Sequence, residues 1–342
     1  MAFQSLLVKR RHLIENKLRE YLDKYWIGED PILKQSLKEF VLRGGKRLRP
    51  FLLIEAYRGV TGKEHDDIVT ASLMVEFTEG SLLIHDDIID RDTVRRGGPT
   101  LHKVMESLLG DTHVGVSSAI VGGDLLLIQS IKPLLDTSFP ESTKLHALEC
   151  WLSALSQCYF GQIYDITLMR KEKLDESDYF HMVDLKTVSY TTFAPIMIGA
   201  ILAGADEHTK SCYKEYAIYL GRAYQVKDDL LGIWGNPSET GKPVDSDIKE
   251  GKRTLLYIYA INHLPSENRK WFQHHWGDPN LTAADVAKVK QLLEDVGARK
   301  YTERRLTELT SQALSVIDNM PIREESKAVF RELTEFIATR SY

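Results

Sequence analysis

Apolar residues along this chain recur mostly at three- and four-residue steps, the spacing that lines one face of an α-helix. At the N-terminus Leu7, Ile14, Leu18, Tyr21 and Tyr25 fall in this way. The same periodicity predicts helices over residues 3–25, 31–43, 50–60, 66–91, 112–133, 141–169, 177–204, 208–234, 252–263, 282–296, 298–318 and 322–340, with ends placed to within about two to four residues. Proline supplies the punctuation. It lacks a backbone N–H and its ring clashes with the preceding turn, so it opens or ends helices. Pro31, Pro50, Pro99, Pro133, Pro140, Pro237, Pro243, Pro265, Pro279 and Pro321 lie at the edges of the periodic segments, and only Pro195 lies inside one. Period-two alternation is essentially absent, no fixed-period repeat stands out, and no low-complexity linker divides the chain. The pattern predicts an all-α fold, a large helical bundle, with one domain over residues 1–342.

Composition changes this picture only by exclusion. The 342 residues carry 44 Lys and Arg against 49 Asp and Glu, a formal net charge of -5, with 43% hydrophobic and 27% charged residues. These values exclude a disordered tail, a collagen-like repeat and a disulfide-stapled mini-domain. The slightly acidic balance argues against a nucleic-acid partner bound through bulk charge. Cys150, Cys158 and Cys212 are an odd number without a Cys-x-x-Cys pair, which fits a reducing compartment. The N-terminal apolar run is too short for a signal peptide, and the apolar stretch 194–205 is too short to span a bilayer. A cytoplasmic protein without a transmembrane segment is expected.

Two acidic motifs carry the candidate chemistry. The segment 83–90 closes a helical pattern and places Asp86 and Asp90 one turn apart on the same face, with Asp87 beside them. Like charges at that spacing destabilise a bare helix by about 0.2–0.5 kcal/mol. A divalent cation would offset the cost, and hard oxygen donors without His or Cys favour Mg²⁺ or Mn²⁺ over zinc. A solvated acidic helix end is the plainer alternative for this motif alone. The segment 224–232 then repeats the pair as Asp228 and Asp229 inside another apolar helix. Unpaired buried charge is costly, so two such pairs are unlike decoration. If the two helices face each other, their five carboxylates would repel an anionic substrate unless metal ions bridged the two, which describes a diphosphate held through Mg²⁺.

Cations grouped with glycines flank these motifs. Gly44-Gly45-Lys46-Arg47-Leu48-Arg49-Pro50 joins two helices, and Arg95-Arg96-Gly97-Gly98-Pro99 follows the first acidic motif. Glycine permits close backbone approach, and Lys and Arg hold phosphate oxygens directly. Lys186-Thr187, Lys242 and Lys252 lie further along.

In this order, GGKRLRP, DDIID, RRGGPT, KT, YQVKDD, TGK and SDIKEGKRT resemble the trans-isoprenyl diphosphate synthases, the polyprenyl synthetase family, and most closely its geranylgeranyl and geranylfarnesyl diphosphate synthases. The match spans residues 44 to 254. The resemblance implies an all-α bundle around a deep central cavity, a homodimer, and head-to-tail joining of isopentenyl diphosphate to an allylic diphosphate with release of pyrophosphate. It implies Mg²⁺, three ions with substrate bound. By position it makes Asp86, Asp87 and Asp90 the first metal site and Asp228 and Asp229 the second, with Asp247 holding metal-bound water. Arg95, Lys186, Thr187, Gln225, Lys242 and Lys252 become contacts to the allylic diphosphate. Lys46, Arg49 and Arg96 become the isopentenyl-diphosphate pocket. Asp86, Asp90, Asp228, Lys186 and Arg95 carry the catalysis.

Two positions depart from the family. A third Asp often follows the second pair by one turn, where this chain has Gly232. Relatives place His or Gln against isopentenyl diphosphate where this chain has Glu79, whose charge would repel that group unless it is protonated or paired with a cation such as Lys46 or Arg49.

The depth of the cavity sets product length in such enzymes. From Asp86 the helix face steps back through Ser81, Thr78, Phe77 and Met74. In the family a bulky residue five positions before the first Asp stops the chain early, but here it is the small Ser81. Phe77 is the next candidate floor, with the alternative that it is ordinary core and facing helices set the floor; four residues of helix lower the floor by about 6 Å, close to one isoprene unit. A C20 or C25 product is expected, with a C30 or longer product, a class I terpene cyclase and a non-catalytic subunit of a hetero-oligomeric synthase as alternatives. The cyclase metal motif does not fit the residues after Asp228, and regulatory subunits tend to lose acidic motifs that are both retained here.

Overall fold

A computed structural model describes residues 2–25, 30–171, 173–235 and 245–340. The fold is all-α. Helices α1 (Ala2–Tyr25), α2 (Pro31–Leu42), α3 (Leu48–Thr61) and α4 (Asp66–Ile89) lead into a two-stranded hairpin, β1 (Val94–Arg95) and β2 (Gly98–Pro99). Then follow α5 (Leu101–Leu109), α6 (Thr112–Gln129), α7 (Lys132–Leu135), α8 (Glu141–Leu168), α9 (Glu176–Val183), a π-helical stretch (Asp184–Phe193), α10 (Ala194–Leu202) and α11 (Glu207–Trp234). The C-terminal helices are Ser246–Glu250, Leu255–His263, Ser266–His275, Ala283–Asp295, Ala298–Asn319 and Glu324–Thr339.

The periodic segments all form helices, and several boundaries follow the expected chemistry. Asp30 caps α2 by accepting from the N–H groups of Ile32 and Leu33, with Pro31 at the first helical position. Asp175 and Asp178 make a reciprocal capping box at α9. Five short features escape the pattern: α5, α7, Ser246–Glu250, Ser266–His275 and the hairpin. The single long helix expected over 177–204 is also interrupted. Its middle winds as a π-helix, and the Ala194 N–H reaches back to the Ser189 carbonyl. Pro195, which has no N–H to donate, directly follows this wider turn.

The chain forms two compact units, Met1–Cys150 with Pro195–Lys210 and Ile322–Ser326, and Trp151–Ala194 with Ser211–Pro321 and Lys327–Tyr342. In the first, α4 is buried almost all round, packed by α1, α2, α3, α6 and α7. Every residue from Ile68 to Ser81 is buried, polar ones included, rather than one amphipathic face alone. In the second, Tyr179, Val183, Val226, Ile233, Leu256, Phe272, Leu293 and Leu309 belong to one apolar cluster.

Three described stretches, Asp66–Ile89, Thr112–Leu135 and Glu176–Leu202, have the length and composition to cross a membrane. The expectation drawn from residues 194–205 alone did not foresee them. Most of Asp66–Ile89 is buried within the protein, 83%, so its apolar surface is spent on the core. Thr112–Leu135 is only 33% buried, and Val114, Val121 and Ile128 stand exposed at seven-residue spacing on α6. All three cysteines are free thiols.

Candidate active site

The candidate residues gather in two halves, one in each unit. In the first, α4 ends at the acidic motif. Asp90 caps the helix, its N–H bonding the Asp86 carbonyl at 2.8 Å, and Asp86 and Asp90 remain partly exposed one turn apart. Asp87 turns inward and is fully buried. The hairpin brings its partner back. Arg96 and Gly97 both take positive φ, 52° and 72°, the conformation of the two-residue loop that matches strand twist. Arg95 then donates through Nε to Asp87 Oδ1 at 2.5 Å and through Nη2 to Asp92 at 2.9 Å. Burial pushes the Asp87 carboxyl up to about 6, against the opposing pull of Arg95. Asp87 Oδ2 is buried without a hydrogen-bond partner.

The glycine-rich loop before α3 lies in the same unit. Gly44 and Gly45 have φ of 101° and 129°, where an L side chain would be strained. A Cβ on Gly45 would stand 3.0 Å from the guanidinium carbon of Arg96, so glycine lets Arg96 lie against the loop. The cations of this loop have separate fates. Arg47 is buried, paired with Glu76 and donating to the Val41 carbonyl at 3.0 Å, so it ties the loop to α4 and α2. Lys46 is exposed. Arg49 reaches Glu79 at 3.0 Å, and Arg96 approaches the same carboxylate oxygen at 3.8 Å. The Glu79 charge is therefore met by two arginines.

The second half is built on α11 and the π-helical stretch. Arg222 donates to both oxygens of Asp184 at 2.7 and 2.5 Å, and Thr192 Oγ1 donates to the Ala217 carbonyl at 2.7 Å. Gly221 allows this approach, because a Cβ there would stand 2.5 Å from Thr192 Oγ1. The contact aligns a relay of side chains. Thr187 donates to Gln225 Oε1 at 2.7 Å, Gln225 Nε2 donates to Asp229 Oδ1 at 2.8 Å, and the buried Tyr179 hydroxyl donates to Asp229 Oδ2 at 2.6 Å. Burial, then the nearby Asp247 charge, raises the Asp229 carboxyl to about 7 against these donors, and burial raises the Tyr179 hydroxyl well above its ordinary value. Asp228, one residue earlier, is 38% exposed. Lys186 pairs with Asp165 of α8 at 2.6 Å. A Cβ on Gly161 would stand 2.3 Å from the Lys186 backbone nitrogen, so α8 and the π-helical stretch meet only because that residue is glycine.

Asp247 lies on the short helix Ser246–Glu250, and Lys252 Nζ approaches it at 3.6 Å and Glu250 at 2.8 Å. Gly232 is where the third Asp of the second motif would be. A Cβ there would stand 2.3 Å from Asp247 Oδ2, so the Asp247 carboxylate fills the space that a side chain at 232 would need. Lys242 lies outside the described residues.

The proposed floor residues Ser81, Thr78, Phe77 and Met74 are all buried on α4. Thr78 turns its hydroxyl back to the Met74 carbonyl at 2.8 Å. The Phe77 ring meets Tyr21 of α1 at 6.0 Å between centroids, and the Tyr21 hydroxyl is fixed by Asp136 at 2.7 Å.

Sequence reasoning missed Tyr179, Asp165, Arg340 and the Glu76–Arg47 pair. Arg340 is buried against Tyr224 of α11, 4.5 Å from its ring centroid, donates to the Tyr224 carbonyl at 3.3 Å, and pairs with Asp228. Apart from Arg47, none of these lies in an acidic or glycine-rich motif. The one available signal was the isolated Asp165 within the otherwise uncharged run 160–169.

Among the described residues, no group of three or more His, Cys, Asp or Glu side chains is arranged to hold a metal ion unaided. The donor set in each half nonetheless suits a hard cation: carboxylates alone, two of them partly exposed in the first half, beside a buried carboxylate oxygen without a partner. Mg²⁺ is commonly held by one or two carboxylates, with water and substrate phosphate completing its shell.

Residues 30–296 match the polyprenyl synthetase family model. A geranylfarnesyl diphosphate synthase of Aeropyrum pernix is 32% identical over 96% of this chain and 99% of its own length. A geranylgeranyl diphosphate synthase of Sulfolobus acidocaldarius is 30% identical over 82% of this chain and 84% of its own. Among solved structures, geranylgeranyl pyrophosphate synthase from Corynebacterium glutamicum, complexed with isoprenyl diphosphate and magnesium, superposes with a TM-score of 0.91 at 29% identity, covering 97% of this chain and 99% of that one.

Proposed function

The chain belongs to the polyprenyl synthetase family, and on that premise we propose that it is a prenyltransferase joining isopentenyl diphosphate head to tail with an allylic diphosphate, yielding a C20 or C25 trans-polyprenyl diphosphate and pyrophosphate. The observation that carries this is the pair of acidic helices, each with a partly exposed leading Asp, together with a separate basic pocket suited to a second diphosphate. A terpene cyclase has no use for that pocket.

Asp86 and Asp90 in one half and Asp228 in the other are the residues that would hold Mg²⁺, three ions with substrate bound, and Asp247 would hold metal-bound water. When bound, the metal neutralises charge growing on the leaving diphosphate. The side chains do the rest. Arg95 and Lys186 place cationic donors on the allylic diphosphate, each oriented by its own carboxylate, Asp87 or Asp165. Thr187 and Gln225 add neutral polar groups, Gln225 held by Asp229 and Thr187 by Gln225, and Lys242 and Lys252 complete the set. Lys46, Arg49 and Arg96 hold isopentenyl diphosphate. The allylic C–O bond breaks with its electron pair leaving on pyrophosphate. The isopentenyl double bond supplies the electrons for the new C–C bond. Loss of one proton to the departing pyrophosphate restores a double bond. Holding both substrates in register supplies much of the rate.

Phe77, backed by Tyr21, is the floor on which the growing chain stops. The exposed apolar residues of α6, with Leu145 near the start of α8, are the surface we assign to a homodimer. Such residues are costly to leave in water. A second copy accounts for them without a transmembrane segment, in a cytoplasmic, single-domain enzyme spanning residues 1–342.

The test is incubation with Mg²⁺, labelled isopentenyl diphosphate and each C5 to C20 primer, followed by product sizing and pyrophosphate release. Products of C20 or C25 are expected. Pyrophosphate release from a primer without isopentenyl diphosphate would favour a cyclase, and no turnover with any primer would overturn the enzymatic reading.

A further inference from the structure

The carboxylate of Glu79 stands within the basic pocket of the first unit. It is buried, 7% exposed, and its Oε1 lies 3.0 Å from an Arg49 nitrogen and 3.8 Å from an Arg96 nitrogen. Arg49 comes from α3 and Arg96 from the hairpin loop. Glu79 therefore ties together two cations that the fold delivers from separate elements. Gly45 packs against the same Arg96 guanidinium, at 3.0 Å from the position a Cβ would take. A buried anion between two arginines both fixes them and cancels part of their charge.

The stoichiometry of chain growth gives that cancellation a use. In each condensation the allylic C–O bond breaks, so the diphosphate retained by the product is the one that entered with isopentenyl diphosphate. For another round the product must react as the allylic partner, so its diphosphate must leave the basic pocket. A pocket of undiminished charge would bind isopentenyl diphosphate tightly and release the elongated product slowly. We propose that Glu79 weakens this pocket's hold on diphosphate and so sets the affinity for isopentenyl diphosphate and the ease of successive condensations. The proposal rests on the synthase reading above.

Glu79→Gln keeps an acceptor for Arg49 and removes the charge, and Glu79→Asp keeps the charge. Isopentenyl diphosphate binding is measured by calorimetry on the full chain, together with KM for both substrates and the product-length distribution. Glu79→Gln is expected to bind isopentenyl diphosphate about tenfold more tightly. Its KM for that substrate should fall in parallel, with the KM for the allylic primer within about twofold, and its products should shift toward fewer condensations. Glu79→Asp should retain weak binding close to that of the unaltered protein. A purely structural role for Glu79 would instead lower stability and weaken both substrates together. Unchanged or weaker isopentenyl diphosphate binding in Glu79→Gln, while the unaltered protein makes product, overturns this proposal alone. Absence of both binding and product in the unaltered protein overturns the synthase reading and the proposal with it.

Discussion

The two acidic helices carry the same Asp-Asp pair and bury its second member in different ways. On α4, Asp87 is met by a cation, the Arg95 guanidinium returned by the hairpin. On α11, Asp229 is met by neutral donors, the Tyr179 hydroxyl and the Gln225 amide. In both, the leading residue stays partly exposed, Asp86 on one helix and Asp228 on the other. Under the proposed function the pairs divide their labour alike: one carboxylate would serve the substrate side, and the other belongs to the architecture that holds a neighbouring donor. They differ in what happens when the partner is lost. Removing a guanidinium strands a buried charge, whereas removing a hydroxyl leaves the carboxylate with its remaining amide donor.

That contrast can be broken experimentally. The largest effect is expected at the exposed members. Asp86→Ala should lower turnover by about a hundred- to a thousandfold while the thermal midpoint stays near that of the unaltered protein, and near-normal turnover would remove the metal-site assignment. Asp228→Ala should lose turnover similarly but also lose stability, because buried Arg340 is left without its carboxylate. Equal stability of the two variants would contradict the difference between the helices. Next comes Arg95→Ala, which isolates Asp87 and should cost about 3–5 kcal/mol in urea unfolding. Adding Asp87→Asn to that variant should restore a substantial part of the loss. Tyr179→Phe should cost less, about 1–3 kcal/mol, and a loss as large as that of Arg95→Ala would erase the distinction between charged and neutral partners. The mildest expected change touches neither pair. Ser81→Phe should shorten the product by about one isoprene unit, the depth of roughly four helical residues, and unchanged product sizes would show that Phe77 and Tyr21 do not form the floor.

Much of this arrangement is legible in the linear pattern. Long helices announce themselves because burying one face repeats every three to four residues, and α1, α2, α4, α8 and α11 begin and end within a few residues of expectation. The acidic and glycine-rich motifs are local, so their identity survives without coordinates. The pairing of Glu79 was open to Lys46 or Arg49 from charge alone, and the fold places both Arg49 and Arg96 against it. The π-helical stretch was not legible, because its wider turn is held by contacts from α11, Arg222 to Asp184 and Thr192 to Ala217, rather than by any residue-spacing rule.

What the sequence by itself determined is the helical class, the order of the diphosphate motifs and the chemistry those residue types permit. Each of these is a property of neighbours along the chain. The tertiary structure decided which member of each Asp-Asp pair is buried and which stays partly exposed, that Arg47 is structural while Arg49 faces Glu79, and that Asp247 takes the space beside Gly232. Burial and ion pairing depend on groups brought together from distant positions. Asp228 and Arg340 lie 112 residues apart, and no local periodicity encodes their meeting.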